Sequence, residues 1–294
     1  MKKFYSNKLA LFVFSAPALL LFTIFVIYPI IPEIMISLQK HNGIQSLRYV
    51  GFENYIKVFQ SKDFWHALKN TFLLVAYNLL IGLPISLILA LMLDHMTSGI
   101  RRFFKTASFL PAVLSVTVIA QMWIAIYQPR WGVINTVLRA VGLDCLAMSW
   151  LTNLNTVMPA VGFAFLWQFI GLNMVLFYTG IKSIPKSYYE AALIDGATNF
   201  QTNVRIVIPL LRDIIKFLLI ISIMGCMRQF EHVNILTAGG PGNASRTIIY
   251  ELYYVAFTTS EFGKGCALAV VFIAICLLIN IIINSTVARE KIEY

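Results

Sequence analysis

Charged residues are scarce in this chain of 294 residues: Asp, Glu, Lys and Arg make up 12% of it, whereas 59% of its residues are hydrophobic. Soluble domains carry roughly 25% charged residues, so this composition excludes an ordinary soluble domain. Cysteine is also rare, and the four cysteines show no paired spacing typical of metal ligands. We therefore predict a protein of the lipid bilayer, with no metal site and with cysteines that act as small buried hydrophobic residues.

Catalytic groupings are missing as well. The acidic residues lie in loops or at the ends of apolar segments, and no serine and histidine fall on facing positions of two helices. An intramembrane hydrolase, the enzymatic alternative, is therefore disfavoured. The stretch Gly239-Gly240-Pro241-Gly242 lacks the Gly-Lys-Ser/Thr end of a phosphate-binding loop, and no other stretch supplies one. The sequence predicts no catalytic residue and no cofactor bound by this chain.

The net charge of +10 raises the alternative of a nucleic-acid partner. The basic residues, however, are scattered beside the ends of apolar segments and form no stripe with interleaved aromatic residues. Anionic lipid headgroups are the expected partner for them. No nucleic acid is expected to bind.

Six apolar segments approach the roughly 20 residues that a helix needs to cross about 30 Å of hydrocarbon. The fifth is the least regular, because Arg228, Glu231 and His232 must lie near its outer end or face a wet cavity. We predict an all-α integral membrane fold, formed by one domain over residues 1–294. Its transmembrane helices are expected at about 11–31, 72–93, 107–127, 157–180, 217–236 and 266–287.

The first apolar segment follows three lysines, so a cleaved signal peptide is the alternative to a retained helix. Its apolar run is too long for a signal peptide, and it ends in Tyr28-Pro29-Ile30-Ile31-Pro32 instead of small residues. A retained first helix and six spans place both termini in the cytoplasm. In this orientation slightly more than half of the Lys and Arg residues lie on the inner side, which is a shallow positive-inside bias.

The loop between the fourth and fifth predicted helices, residues 185–209, is patterned. It begins with a proline, which suits the start of a short helix, and Gly196 suits the left-handed end of that helix. Thr198 or Asn199 can cap a second short helix, which Pro209 is expected to stop. Two short helices joined at a glycine therefore form a bent unit at the membrane surface.

The loop contains Glu190-Ala191-Ala192, then three residues, Gly196, nine residues and Ile206-Val207-Ile208-Pro209. This spacing is similar to that in the conserved loop of ABC importer permeases. Ala191 and Ala192 leave one helix face with little bulk, which suits close approach by another protein; an ordinary connecting helix is the alternative. In the family pattern, Glu-Ala-Ala is followed by three residues, Gly, nine residues and Ile-x-Leu-Pro. The matching residues are Glu190, Ala191, Ala192, Gly196, Ile206 and Pro209, with Ile208 in place of the leucine.

Nearly the whole chain resembles the sugar-uptake branch of that family, of the maltose and glycerol-phosphate permease type that fills the first of two permease positions. An amino-acid or peptide importer permease would share the loop but not the flanking stretches. Those stretches are Tyr49-Val50-Gly51-Phe52-Glu53-Asn54-Tyr55, Leu236-Thr237-Ala238-Gly239-Gly240-Pro241-Gly242, and Ala256-Phe257 with Glu261-Phe262-Gly263.

The resemblance implies the type I ABC importer fold, in the bacterial cytoplasmic (inner) membrane. The partners that it implies are a second homologous permease, two cytoplasmic ATPase subunits that hold ATP and Mg, and an extracellular sugar-binding protein. This chain would then translocate a sugar or oligosaccharide, while the partner ATPase hydrolyses ATP. The residues expected to couple the chain to the ATPase are Tyr189, Glu190, Ala191, Ala192, Asp195, Gly196, Ile206 and Pro209.

Intramembrane polar and aromatic residues mark the expected sugar path. A sugar has apolar C–H faces and a rim of hydroxyls, so it needs an aromatic surface and neutral amide or hydroxyl partners. Such groups usually face a cavity, although simple hydrogen bonding between helices is the alternative. The resemblance aligns Gln168, Leu172, Ser222 and Gln229 with sugar-site positions of related permeases. The predicted substrate site comprises Trp167, Gln168, Leu172, Ser222, Gly225, Cys226 and Gln229.

Overall fold

The computed structural model of the protein describes the backbone of residues 8–287 and the surroundings of side chains 12–285. Within these residues, four helices are long and apolar enough to cross a membrane, and a bent pair of helices brings the number to five if it is one span. The four are Phe12–Ser37, Lys62–Asp94, Val157–Ser183 and Phe262–Ser285.

The chain forms two compact units, of which the first comprises residues up to Ser61 together with Leu252–Ile275. Its strands pair in antiparallel fashion, with Gln39 opposite Tyr49. Because of this short hairpin, the fold is mostly helical and the all-α prediction is wrong in that detail. The elements that open this unit are α1 Lys8–Phe22, α2 Tyr28–Ser37, β1 Gln39–His41, β2 Ser46–Tyr49 and α3 Glu53–Gln60.

The second unit comprises Lys62–Glu251 and the chain from Cys276 onward. Its helices up to residue 183 are α4 Lys62–Tyr77, α5 Leu83–Asp94, α6 Ser98–Val113, α7 Val116–Ile126, α8 Val133–Ala140 and α9 Val157–Ser183. Those that follow are α10 Lys186–Ile194, α11 Asn199–Thr202, α12 Ile208–Leu210, α13 Arg212–Met227 and α14 Glu231–Thr237. Two further helices, α15 Ile248–Tyr253 and α16 Phe262–Val287, contribute residues to both units.

Several helices continue through prolines, one of which, Pro209, was predicted to stop a helix. The first helix was expected to end at residue 31 but continues to Ser37, and a helical turn follows Val207 in spite of Pro209. A proline ring clashes with the carbonyl four residues earlier. In each case that carbonyl belongs to a wider π-turn, which moves it away from the ring. The π-turns and the prolines that follow them are Thr23–Ile27 before Pro29, Asn78–Gly82 before Pro84, and Asn203–Val207 before Pro209.

Two predicted spans are interrupted. The predicted helix 107–127 is broken between α6 and α7, which are bent by 100°. Leu114 is extended there, and the Ser115 hydroxyl accepts a hydrogen bond from the Thr117 amide, which starts a new helix. The predicted helix 217–236 is interrupted as well, because α13 ends at Met227 and the Gln229 amide turns back to bond the Cys226 carbonyl.

The core of the second unit lies between α5, α9 and α13. Its buried side chains include Leu93 of α5, Phe177 of α9 and Leu218 of α13. Val207 and Leu211, from the chain between α11 and α13, join the same cluster and are almost completely buried. The loop at residues 185–209 is therefore anchored to the long helices by apolar packing.

Candidate functional site

A cavity of about 450 Å³ lies between the π-turn that follows α4, the helix α9 and the end of α13. It is bounded by side chains of both apolar and polar character, which is the usual composition of a small-molecule site. Its lining residues are Asn78, Phe165, Phe169, Leu172, Asn173, Ile221, Ser222, Gly225, Arg228, Gln229 and Glu231.

Four of the residues predicted to bind substrate meet at this cavity: Leu172, Ser222, Gly225 and Gln229. The other three predicted residues lie outside the cavity lining. Gln168 is buried, and its amide nitrogen donates to the Leu114 carbonyl at 3.3 Å. Trp167 lines a separate pocket and packs edge-on against Trp123, with ring centroids 5.6 Å apart. The Cys226 thiol is fully buried and donates to the Leu74 carbonyl at 3.8 Å.

The aromatic surface of the cavity consists of Phe165 and Phe169, not Trp167. The two phenylalanine rings lie 5.1 Å apart at an angle of 53°. Successive residues of a helix are rotated by about 100°, so Trp167 points away from the face that carries Phe165 and Phe169. The i, i+4, i+7, i+8 pattern of Phe165, Phe169, Leu172 and Asn173 is the sequence signal that would have identified this face.

Amide and hydroxyl groups supply the polar part of the lining. Asn78, Asn173, Ser222 and Gln229 are all buried within the chain. Asn78, which sequence reasoning missed, is the first residue of the π-turn Asn78–Gly82. Its Oδ1 atom has no hydrogen-bond partner among the described residues. A buried acceptor without a partner is costly, so a bound hydroxyl that donates to it would be stabilised.

The backbone carbonyl and the side-chain amide of Gln229 both have hydrogen-bond partners, although this residue lies in the break between α13 and α14. Its backbone carbonyl accepts a hydrogen bond from the Thr247 hydroxyl at 2.7 Å, and Thr247 is fully buried. Its side-chain Nε2 lies 2.5 Å from Nδ1 of His232. The carbonyl and the side-chain amide of a cavity residue are thus held without the help of regular helix.

In the bent unit at residues 185–209, the first short helix ends and the second begins where the sequence predicted. Gly196 has φ = +72°, the Ala197 amide donates to the Ala192 carbonyl at 2.9 Å, and the Gly196 amide donates to Leu193 at 3.1 Å. This pair of bonds is the Schellman motif that ends α10. Thr198 caps α11 in a capping box with Gln201. The prediction that Gly196 ends one short helix and Thr198 begins the next is confirmed.

The exposed side chains of this loop differ from the smooth alanine face that was predicted. Ala192 is only 4% exposed, because α10 packs this small side chain inward, whereas Ala191 remains exposed. The protruding apolar side chains are Leu193, Ile194 and Phe200, with 77%, 85% and 76% of their surface exposed. We call these three residues the apolar patch. Of the other residues in the predicted coupling set, Glu190, Asp195, Gly196 and Pro209 are exposed and Ile206 is partly buried.

Tyr189 points toward the long helices instead of outward. It packs against the core cluster of α5, α9 and α13, and its hydroxyl has no hydrogen-bond partner within the described part of the chain. Burial raises the pKa of the Tyr189 phenol, and the nearby Asp94 carboxylate raises it further. Asp94, at the end of α5, forms an ion pair with Lys182 near the end of α9. The loop, α5 and α9 therefore meet around one tyrosine.

Comparisons with known proteins find a family model and relatives that cover most of the chain. A family model described as "Binding-protein-dependent transport system inner membrane component" matches residues 71–290. The diacetylchitobiose uptake system permease protein NgcF of Streptomyces coelicolor is 34% identical over 276 residues, covering 90% of this chain and 78% of NgcF. The arabinooligosaccharides transport system permease protein AraP of Bacillus subtilis is 32% identical over 281 residues, covering 95% of this chain and 88% of AraP.

A third relative and a solved structure extend the comparison. The sn-glycerol-3-phosphate transport system permease protein UgpA of Escherichia coli O157:H7 is 31% identical over 286 residues, covering 95% of this chain and 94% of UgpA. A chain in the crystal structure of a bacterial alginate ABC transporter, in complex with an alginate pentasaccharide-bound periplasmic protein, superimposes with a TM-score of 0.84. It is 28% identical, with 96% of this chain and 95% of that chain covered.

Proposed function

Since the chain belongs to the family of binding-protein-dependent transport system inner membrane components, we propose that its cavity holds a sugar in transit and that its apolar patch receives the ATPase. The chain is the permease subunit of a binding-protein-dependent ABC importer for a sugar or oligosaccharide. It is a multi-pass protein of the inner membrane, and ATP is bound and hydrolysed by a partner ATPase.

The finer architecture is part of the proposal. Six transmembrane helices within one domain, 1–294, would leave both termini and the loop 185–209 in the cytoplasm. The bent pair α6–α7 would form the third span, and α13 with α14 the fifth. The complex would contain a second homologous permease, two ATPase subunits and an extracellular sugar-binding protein.

The single observation that carries the sugar site is the composition of the cavity wall. The phenyl rings of Phe165 and Phe169 can stack on the C–H faces of a sugar, and the amide oxygen of Asn78 has no protein partner among the described residues. Amides such as Asn173 can accept from and donate to hydroxyl groups. A cavity of about 450 Å³ is large enough for a small saccharide.

The apolar patch supports the docking role of the loop. Leu193 and Ile194 are exposed on α10, whose Tyr189 packs against the core, and Phe200 is exposed on α11. Highly exposed apolar side chains within one loop favour a contact site for a protein or a membrane. Capping at Gly196 and Thr198 makes the unit rigid, so a partner that moves the patch would move the whole loop.

The transmission route follows from Tyr189. This side chain lies between the loop and the ends of α5 and α9, where Asp94 and Lys182 are paired. The helix α9 carries Phe165, Phe169 and Asn173 into the cavity. Closure of the ATPases would thereby change access to the cavity. To move the equilibrium between the inward-open and outward-open permease from 1:99 to 99:1, the ATPase must favour one of these states by about 5.5 kcal/mol. A rigid connection between the loop and the helices is needed to transmit that preference.

The proposed sugar site is tested by measuring the amount of sugar imported per ATP hydrolysed. The binding protein is loaded with sugar and present at a saturating concentration. The complete transporter in proteoliposomes would be screened with diacetylchitobiose, an arabinooligosaccharide, sn-glycerol-3-phosphate and an alginate oligosaccharide. With the probe that wild type imports, Phe169→Ala and Asn78→Leu should lower sugar per ATP while the ATPase rate persists. Phe163→Ala, on an exposed face of the same helix, is the matched control. Unchanged import in both cavity variants would contradict the sugar site.

A further inference from the structure

His232 lies directly behind the cavity wall and touches two of its residues. The imidazole is 1% exposed, its Nδ1 lies 2.5 Å from Nε2 of Gln229, and its ring meets Phe165 edge-on with centroids 5.7 Å apart. Gln229 and Phe165 both line the cavity, whereas His232 does not. We infer that His232 is a positioning residue, which orients the Gln229 amide toward the substrate.

The chemistry of the contact fixes the orientation of the amide. The NH₂ group of a glutamine only donates, so the His232 Nδ1 atom must accept and the ring is neutral with its proton on Nε2. One amide N–H of Gln229 is thereby used on the protein side. Its carbonyl oxygen, on the other branch of the planar amide, is left for the cavity. The wall then offers an acceptor to a sugar hydroxyl at this position.

The orientation is needed because Gln229 lies outside regular helix. It occupies the break between α13 and α14, where its backbone is held by Thr247. A free glutamine side chain would have to be ordered by each sugar that binds. Fixing it in advance removes that entropic cost from binding, which is the contribution that we assign to His232.

A purely structural role would favour a different residue. The second ring nitrogen of His232 has no hydrogen-bond partner among the described residues. A buried N–H without a partner is unfavourable, and an apolar side chain of similar size would avoid it. Stability alone therefore gives no reason for histidine here, whereas the acceptor at Nδ1 does.

The inference rests on the proposed sugar site, and four variants of the complete transporter separate the two. The readout is sugar imported per ATP hydrolysed at saturating loaded binding protein, with the probe that wild type imports. His232→Leu should lower this ratio about three- to tenfold. The ATPase rate should not change, and the melting temperature should stay the same or rise. His232→Asn should restore it, because its side-chain oxygen can accept in place of Nδ1.

Gln229→Leu should lower the ratio at least as much, and adding His232→Leu to it should cause no further loss. If Gln229→Leu lowers the ratio but His232→Leu does not, or if His232→Asn fails to rescue, the positioning role is overturned and the sugar site stands. If Gln229→Leu, Phe169→Ala and Asn78→Leu all leave the ratio unchanged, the sugar site fails and this inference fails with it.

Discussion

Gly171 of α9 lies against the backbone of Ser108 in α6, and a Cβ atom built on Gly171 would overlap the Ser108 carbonyl oxygen. No side-chain rotation can relieve that overlap, because the opposing atom belongs to the backbone. The two helices can approach this closely only because residue 171 has no side chain. The close packing of α6 on α9 depends on this contact.

Gly171→Ala is therefore expected to destabilise the protein by more than the about 1–3 kcal/mol typical of overpacking. The melting temperature of the purified complex in detergent measures the effect. Gly225→Ala is the matched control, since a Cβ there would meet nothing within 4 Å. Gly225 lines the cavity, so its variant should fold normally. Equal melting temperatures for the two variants would contradict the close packing of α6 on α9.

The end of α5 is expected to depend more on Arg101 than on Asp94. The Arg101 guanidinium donates to the backbone carbonyls of Leu93, Asp94 and Met96 at 3.0, 3.3 and 2.5 Å. Hydrogen bonds from a charged group contribute about 1.5–3 kcal/mol, whereas the half-exposed Lys182–Asp94 ion pair should contribute about 1 kcal/mol or less.

Thermal unfolding of Arg101→Met and Asp94→Asn tests that ranking. Arg101→Met should lower the melting temperature clearly, and Asp94→Asn should change it little. Arg102→Met, at an exposed neighbouring position, controls for loss of one positive charge. The account would be wrong if Asp94→Asn were the more damaging substitution.

The ion pair between Arg246 and Glu251 is expected to matter for folding. Their N–O distance is 3.0 Å, and the side chains are only 13% and 5% exposed. Removing one partner leaves a buried charge, which costs about 3–5 kcal/mol, so Glu251→Gln should unfold at a markedly lower temperature. Glu261→Gln breaks a more exposed pair with Lys264 and should have little effect. Similar losses in both variants would show that burial is not the cause.

Much of the fold could be predicted because hydrophobic length and capping chemistry are local properties. The start of α9 at Val157, the left-handed turn at Gly196 and the cap at Thr198 are all as predicted. The helical turn across Pro209 was not predicted, because it depends on a π-turn that moves the clashing carbonyl away, as does the one before Pro29. Such turns leave no simple pattern in the sequence.

The cavity was predicted only in part because its wall combines three segments. Ser222, Gly225 and Gln229 were predicted and line the cavity, whereas Cys226, predicted with them, does not. The choice between Trp167 and Phe169 required the rotation of α9 relative to α13, which is a tertiary property. Asn78 comes from a distant segment, and its place in the wall is set by the π-turn at residues 78–82. The roles of all these residues in sugar binding stay predictions.

Sugar import by the complete transporter that carries Ile194→Asp, with co-purification of the ATPase checked alongside, is the most direct test of whether this chain delivers ATP-driven movement to a sugar path. A carboxylate within the apolar patch should prevent docking of the ATPase, since burying an unpaired charge is costly. The ATPase should no longer co-purify, and import should be lost. Ile44→Asp introduces the same charge at a side chain that is 91% exposed in the hairpin. This control variant should still co-purify with the ATPase and import sugar. Wild-type ATPase binding and import in Ile194→Asp would contradict the central claim.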